Sequence, residues 1–434
     1  MLALVGFVMV GVIVYGLVQS KISPIPVFVI VSLLAGLAVL TPPAELFVHI
    51  GKGVVKTMPI AVLFIFSIVY FCVMNDVGMF DPLVNGLVNM AKSNVILVTV
   101  ATAIIAILGH LDGALASTLL ITIPAMLPIY KRLNMRPLTL LVIIGAAMSI
   151  MNLLPWGGPV ARTGVVTGIP VEELWHALIP LQVVCCVVVV GFGAFMGVVE
   201  KRRGAGLAVG ADGSFIMAVE EDPQVLALKR PKLVWFNVLL TLGVIALLCF
   251  TKIPLYFAFM LGLSIALVVN FPKAKDQAER IKVHAASALP MASILLASGV
   301  FLGVLTGTKM IDAMAITLIK LIPDFLGPYL HVILGVFAVP IGMVLGTDSY
   351  FYGLVPLAME VGKNFGVDPV NMAKTLLIGK NFGVLVTPHA ATTFLAIGLA
   401  GVELKDHLKY CTAWLWALSL VTLAIAFIMG IVTW

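Results

Sequence analysis

Charge is what this sequence has least of: only 11% of its 434 residues are Asp, Glu, Lys or Arg, against roughly 25% in a soluble domain. A water-soluble globular fold is excluded on that ground alone. Its five cysteines (Cys72, Cys185, Cys186, Cys249, Cys411) all lie inside apolar runs, with no CxxC spacing. That excludes a disulfide framework and a zinc site. The sequence has no HExxH, G-x-S-x-G or Walker string, so the usual metalloprotease, hydrolase and nucleotide-driven chemistries lack their residues. Nor is there an extramembrane domain to hold a nucleotide. Before the first apolar run stands no basic segment, and no small-residue cleavage site precedes a polar mature chain; the run is expected to be a membrane helix rather than a leader.

What the chain does have is apolar length. Hydrophobic residues make up 62% of it, mean hydropathy is +1.17, and uncharged runs such as Leu2 to Val18, Pro24 to Leu40, Leu178 to Val199 and Ala413 to Val432 approach the roughly 20 residues that cross a bilayer. The expectation is an all-α polytopic protein of the cell's inner (plasma) membrane, with lipid as its surroundings. The net charge of +6 then concerns the sidedness of loops rather than nucleic acid, which is not expected as a partner.

Matches of the chain against itself keep one register, at offsets of 230 to 232 residues: Lys21-Ile22 with Lys252-Ile253, Pro59 with Pro290, Asp81 with Asp312, Pro124 with Pro356, Pro137 with Pro369, and Gly168 with Gly398. Such a register is the trace of an internal duplication. It predicts a first membrane repeat over 1–199, a polar cytoplasmic linker over 200–232, and a second repeat over 233–434. In the first repeat helices are expected near 2–19, 24–40, 58–75 and 178–199. Two short segments, 95–109 and 114–130, are expected to meet at Gly109–Gly113 as a re-entrant hairpin. A helix near 138–168 is expected to break between Asn152 and Pro159, because Pro155, Gly157, Gly158 and Pro159 cannot continue a helical ladder. Five crossings per half is an odd number, so the second repeat would be inverted. Placing the linker inside collects 17 Lys and Arg on the cytoplasmic face against 7 on the other, as loop charges favour, and leaves both termini external.

Irregular backbone survives at membrane depth only where protein or a wet cavity surrounds it, and carriers built from inverted repeats bind substrate at such breaks, where half-helix N-termini face anions. The candidates for substrate binding are therefore Asp112, Gly113, Ser117 and Thr118 at the first tip, and Asn152, Gly157, Gly158 and Arg162 at the first break. In the second half they are Thr347, Asp348 and Ser349 at the tip and Lys380, Asn381, His389, Thr392 and Thr393 at the break. Membrane carboxylates and histidines suit proton or cation coupling, which makes Asp112, His110, Asp348 and His389 the coupling candidates. The alternatives are plain: Asp112 and Asp348 as helix caps, Arg162 in a salt bridge to Asp112 or Asp348, Lys380 snorkelling to the interface, and His110 and His389 as hydrogen-bonding helix contacts. Asn75, Asp76 and Asp81 read as interface caps.

The strings Phe80-Asp81-Pro82, Leu111-Asp112-Gly113, Ala125-Met126-Leu127-Pro128, Pro155-Trp156-Gly157-Gly158-Pro159 with Ala161-Arg162, and Gly346-Thr347-Asp348-Ser349 resemble those of the citrate-metal/proton symporter (CitMHS) family of the ion transporter superfamily. The resemblance runs nearly end to end. It implies proton-driven uptake of citrate, a small organic acid, as such or as a complex with Mg or another divalent metal, by a homodimer with a scaffold and an elevator-type transport domain. No resident cofactor is implied; Asp112 and Asp348 would meet a metal only together with substrate. One departure bears on mechanism: the family hairpin resembles D-G-D-G-T-T, whereas this chain reads Asp112-Gly113-Ala114-Leu115-Ala116-Ser117, and Lys380 and His389 also differ. Fewer acids and more bases favour free citrate over its metal complex. Two other carriers fit the same residues. In a sodium-coupled di- or tricarboxylate symporter, Ser117, Thr118, Asn152 and Asn381 would coordinate the ion; a cation/proton antiporter would leave Arg162 and Lys380 without a role.

Overall fold

A computed structural model describes residues 1–19, 22–91, 94–206, 223–251, 253–388 and 390–433. Among these, every regular element is helical. Helices α1 (Leu2–Gln19), α2 (Pro24–Ala38) and α3 (Pro43–Asp76) are followed by α4 (Asp81–Ala91), α5 (Val95–Gly109), α6 (Leu115–Arg132), α7 (Pro137–Met151), α8 (Gly158–Thr167) and α9 (Val171–Arg202). After α10 (Pro223–Leu228) come α11 (Val234–Phe250), α12 (Leu255–Asn270), α13 (Ala274–Gly307) and α14 (Met310–Ile319). The chain continues through α15 (Leu330–Val336), α16 (Ala338–Asp348), a π-helical segment Ser349–Leu354, α17 (Val355–Asn364), α18 (Pro369–Asn381), α19 (Ala391–Ala400) and α20 (Leu404–Ile428). Prolines open α2, α3, α7 and α18 at their first turn, where a missing N–H costs nothing.

Helix bounds recur at the sequence offset. Both α3 and α13 have 34 residues and begin 231 apart (274 minus 43), while α7 and α18 begin 232 apart (369 minus 137). One pairing changes: Gly168 and Gly401 both end their helices in the left-handed conformation, at φ 75° and 67°, so the counterpart of Gly168 is Gly401 and not Gly398. Left-handed backbone selects glycine there, and a drifting register hid it.

Helices α3 and α13 form the longest crossing. They run antiparallel, with His49 beside Gly307, Gly53 beside Gly299 and Gly303, and Asp76 taking hydrogen bonds from Arg280 at 3.2 Å and His284 at 2.7 Å. A methyl on Gly53 would lie 2.0 Å from the Gly299 carbonyl oxygen, so the backbones touch, as small residues allow between membrane helices. Asp76 thus ties two helices together and is not a simple interface cap; Asp81 likewise pairs with Lys229 at 2.8 Å. Around this crossing lie α2 and α12; a second group gathers α5 to α9 with α15 to α20, and α8 touches both α3 and α13.

Five helices among the described residues are long and apolar enough to cross a membrane: Pro43–Asp76, Val171–Arg202, Pro231–Leu248, Ala274–Gly307 and Leu404–Ile428. Others are shorter apolar helices, and Gly327–Val336 meets Ala338–Asn364 at a bend of 79°. The expected linker starts later than residue 200. Glu200 still belongs to α9 and is fully buried, accepting from Arg136 Nε at 2.6 Å, Thr139 Oγ1 at 2.6 Å and Arg203 Nη2 at 3.1 Å; most of the remaining linker, 207–222, lies outside the described residues.

Candidate functional site

Two tips and two helix breaks come from different parts of the chain. In the first half α5 and α6 pack against each other and join through His110 to Ala114. Gly113 there has φ 69°, and a Cβ on it would stand 3.1 Å from the Trp156 carbonyl oxygen, so the tip rests on the break between α7 and α8. Trp156 Nε1 fastens it by donating to the Leu111 carbonyl at 2.6 Å. His110 is fully buried, with Nδ1 2.6 Å from Thr118 Oγ1 and Nε2 3.1 Å from Asn152 Oδ1. Asp112 accepts the Ala114 N–H at 2.8 Å and the Ser117 hydroxyl. It closes a turn just before α6; the helix itself begins at the N-cap Ala114 without a side-chain cap.

At the first break Asn152 ends α7, and its Oδ1 is taken while its Nδ2 has no partner. Gly157 is required sterically: a Cβ would come within 2.5 Å of the Asn152 carbonyl oxygen. Gly158 opens α8, and a Cβ there would meet Arg162 Nη1 at 2.7 Å, so the guanidinium lies over the helix's first turn. It reaches the other half of the chain: Arg162 Nε and Nη2 each lie 2.7 Å from Asp348 Oδ1. Asp348, rather than Asp112, is its partner.

The second tip turns at Gly346, whose φ 73° and ψ 176° lie in a region open essentially to glycine alone. Thr347 Oγ1 accepts from Lys380 Nζ at 2.8 Å, and the Ser349 hydroxyl is buried without a partner. Lys380 does not snorkel; it is 0% exposed, its stem runs over Gly342, and Nζ lies 6.0 Å from the Phe351 ring centre. Next to it Asn381 is 1% exposed with neither amide atom bonded. Thr393 turns back onto the Leu385 and Thr387 carbonyls, away from a ligand role, and Thr392 stands half-buried at the start of α19. His389 lies outside the described residues. No side chain caps the N-terminus of α19.

A cavity of about 470 Å³ opens onto this second tip, lined by Gly346, Thr347, Asp348, Ser349, Thr387, Ala390 and Ala391 together with Leu17 and Ile22 to Pro24. It offers hydroxyls and an uncapped helix N-terminus, which suit an anion, beside a carboxylate already paired with Arg162. A larger cavity of about 590 Å³ between Leu108, Leu111, Phe80 and α11 is almost wholly apolar, so it has little with which to recognise a carboxylate. Among the described residues no group of three or more His, Cys, Asp or Glu could hold a metal; a metal arriving with substrate would bring its own ligands. Sequence reasoning missed Gly342 and Phe351, which seat Lys380, since neither differs in type from ordinary membrane packing. The Gly342 to Gly346 spacing was the one available signal.

Helices α7 and α18 correspond at an offset of 232, and α8 and α19 at 233 (391 minus 158). In those registers Arg162 matches Leu395 and Lys380 matches Met148, so each half contributes one cation where the other has none.

Comparison with known proteins gives a consistent result. The family described as "Citrate transporter" (CitMHS) matches residues 5–379. A Bacillus subtilis (strain 168) protein named "Citrate transporter" is 34% identical over 437 residues, covering 100% of both chains. From the same organism, a protein named "Mg(2+)/citrate complex secondary transporter" is 35% identical over 435 residues, covering 100% of this chain and 99% of its own. The YdaH transporter of Alcanivorax borkumensis, a crystal structure described as having an unusual topology, shares the fold with a TM-score of 0.62 at 14% identity, over 89% of this chain and 88% of that one.

Proposed function

The chain belongs to the CitMHS citrate transporter family, a family of membrane transporters and not of enzymes, and from that premise we propose that it imports citrate, free or as a divalent-metal complex, by proton symport. The observation that carries this reading is the Arg162–Asp348 pair, which joins the broken helix of one half to the tip of the other. A guanidinium held there keeps donors for a carboxylate, Ser349 and Asn381 offer unpaired polar atoms, and the α19 N-terminus faces the same cavity. Substrate would bind there, with the Asn152 side of the first break completing the site.

The two halves act as inverted repeats in this proposal. The antiparallel course of the sequence-matched helices α3 and α13 supports that relation, since two parallel copies would run the same way. Helices α1 to α3 and α11 to α14 would form the scaffold, and α5 to α9 with α15 to α20 an elevator-type transport domain whose paired helices at each tip are re-entrant hairpins. A homodimer in the inner membrane, with cytoplasmic linker and external termini, completes the proposal. The cavity reaches Ile22 to Pro24, a connection that the proposed orientation puts on the cytoplasmic side, so it would be the inward-open path.

A sodium-coupled carrier is the second reading, favoured by one observation: the Asn381 side-chain oxygen Oδ1 and the Ser349 hydroxyl are buried without partners, as ion ligands would be before binding. Labelled citrate uptake into proteoliposomes under an inward proton or sodium gradient separates the two. Uptake driven by protons supports the first reading, by sodium the second. Repeating each arm with magnesium present and chelated decides whether free citrate or its complex travels, and absence of citrate uptake in all arms would reject both.

A further inference from the structure

Proton symport requires a group that takes up a proton with substrate and gives it up when substrate leaves. Four described titratable groups stand at the tips and breaks, and their partners differ. His110 has both ring nitrogens engaged by Thr118 and Asn152. Asp112 is held by Ala114 and Ser117. Asp348 receives the fork of Arg162. Lys380 is fully buried, and its hydrogen-bond partner is a neutral hydroxyl, that of Thr347.

The charges that act on Lys380 are Arg162, from α8, and Asp348, from α16. Helices α15, α17 and α20 also pack against α18. Their titratable groups are otherwise placed: His331 is held by the Thr433 carbonyl and His407 by the Leu385 carbonyl, Tyr410 meets Thr139 and Cys411 the Leu138 carbonyl, Lys405, Asp406 and Lys409 are exposed, and Glu360 and Lys363 lie toward the end of α17 remote from the tip. Around Lys380, then, two cations share one carboxylate. An uncompensated ammonium is expensive away from water.

We propose that Lys380 carries the coupled proton. This inference rests on the proton-symport reading and names the atom on which the proton travels. With citrate bound, Arg162 pairs with Asp348 and the Lys380 ammonium pairs with a substrate carboxylate. When that carboxylate leaves, one N–H bond of the ammonium breaks, the electron pair stays on Nζ, and the proton passes by way of the Thr347 hydroxyl, which lines the cavity, to water. Nothing is oxidised or reduced. Loaded and empty carriers are both free of unpaired charge at this point, and either can cross. An ammonium without citrate is not, and cannot. That exclusion is what coupling demands.

Two variants test it, Lys380→Arg with a fixed charge and Lys380→Met with no exchangeable proton, each reconstituted in proteoliposomes. Two rates are compared: citrate counterflow, which needs no net proton movement, and accumulation driven by an inward proton gradient. In both variants counterflow should be reduced yet measurable, while the ratio of gradient-driven uptake to counterflow falls about tenfold or more. A merely structural lysine would lower both rates together, and a variant that keeps the wild-type ratio overturns the assignment to Lys380. Wild-type protein that transports citrate without moving protons overturns the symport reading and this inference with it. If either variant does not elute as a single species, Lys380→Gln takes its place in the same comparison.

Discussion

Arg162 donates from Nε to one oxygen of Asp348 at 2.7 Å across 186 residues of sequence, and its Nη2 lies 2.7 Å from the same oxygen as an ion pair. The pair is largely buried, at 8% and 19% side-chain exposure. Removing one partner of such a pair leaves a buried charge, which costs about 3–5 kcal/mol. Arg162→Ala is therefore expected to lower the thermal unfolding midpoint in detergent and to abolish citrate uptake in proteoliposomes. Lysine cannot reproduce a fork, so Arg162→Lys should retain less than about a tenth of uptake.

Asp112 distinguishes a turn-holding acceptor from a proton carrier. Its oxygens accept from Ala114 and Ser117, and asparagine keeps an acceptor for the Ala114 N–H while losing the titratable proton. Asp112→Asn should keep proton-driven citrate uptake within about threefold of wild type, whereas Asp112→Ala loses the hydrogen bonds of the turn, worth about 1 kcal/mol each, and lowers the rate further. Equal loss in both would give Asp112 a role in coupling after all.

Gly346 turns the second tip at φ 73° and ψ 176°. A side chain in that region costs roughly 1–3 kcal/mol, and relief would shift Thr347 and Asp348 from Lys380 and Arg162. Gly346→Ala is expected to raise the apparent KM for citrate about tenfold while the protein still purifies as a folded species. An unchanged KM would show that the tip adapts.

The glycine crossing of α3 and α13 has no slack. A Cβ on Gly303 would lie 2.3 Å from the His49 carbonyl oxygen, so Gly303→Val must force the helices apart. The expected loss is about 1–3 kcal/mol, read as a lower unfolding midpoint and a smaller folded fraction on size-exclusion chromatography.

Glu200 offers a control away from the site. Its two oxygens hold Arg136, Thr139 and Arg203, and Glu200→Gln removes the charge that the two guanidinium groups require. Stability should fall by about 3 kcal/mol, measured by thermal unfolding, with the KM for citrate unchanged.

Much of this was legible in the sequence because hydropathy and helix breakers act locally. Helices expected near 2–19 and 24–40 are Leu2–Gln19 and Pro24–Ala38, and the predicted break from Asn152 to Pro159 separates α7 from α8. Hydropathy failed where helices leave the apolar layer. The expected helix near 58–75 begins at Pro43 and carries Glu45, His49, Lys52 and Lys56 on its added turns, and α4 was missed because its apolar residues cover only one face. Glu200 read as linker because a charge signals water, yet three donors make its burial tolerable. Partner choice was invisible for a different reason. Asp112 and Asp348 are equally good acceptors for Arg162 on paper, and only the fold decides which one stands opposite.

Arg162 matches Leu395, and Lys380 matches Met148, when the helices of the two halves are aligned. If the two halves are related as proposed, a carrier made of two separate copies of one half would hold any such cation twice, at equivalent places. A single chain is free of that constraint. Each half can then keep one base, and the two breaks can take different duties.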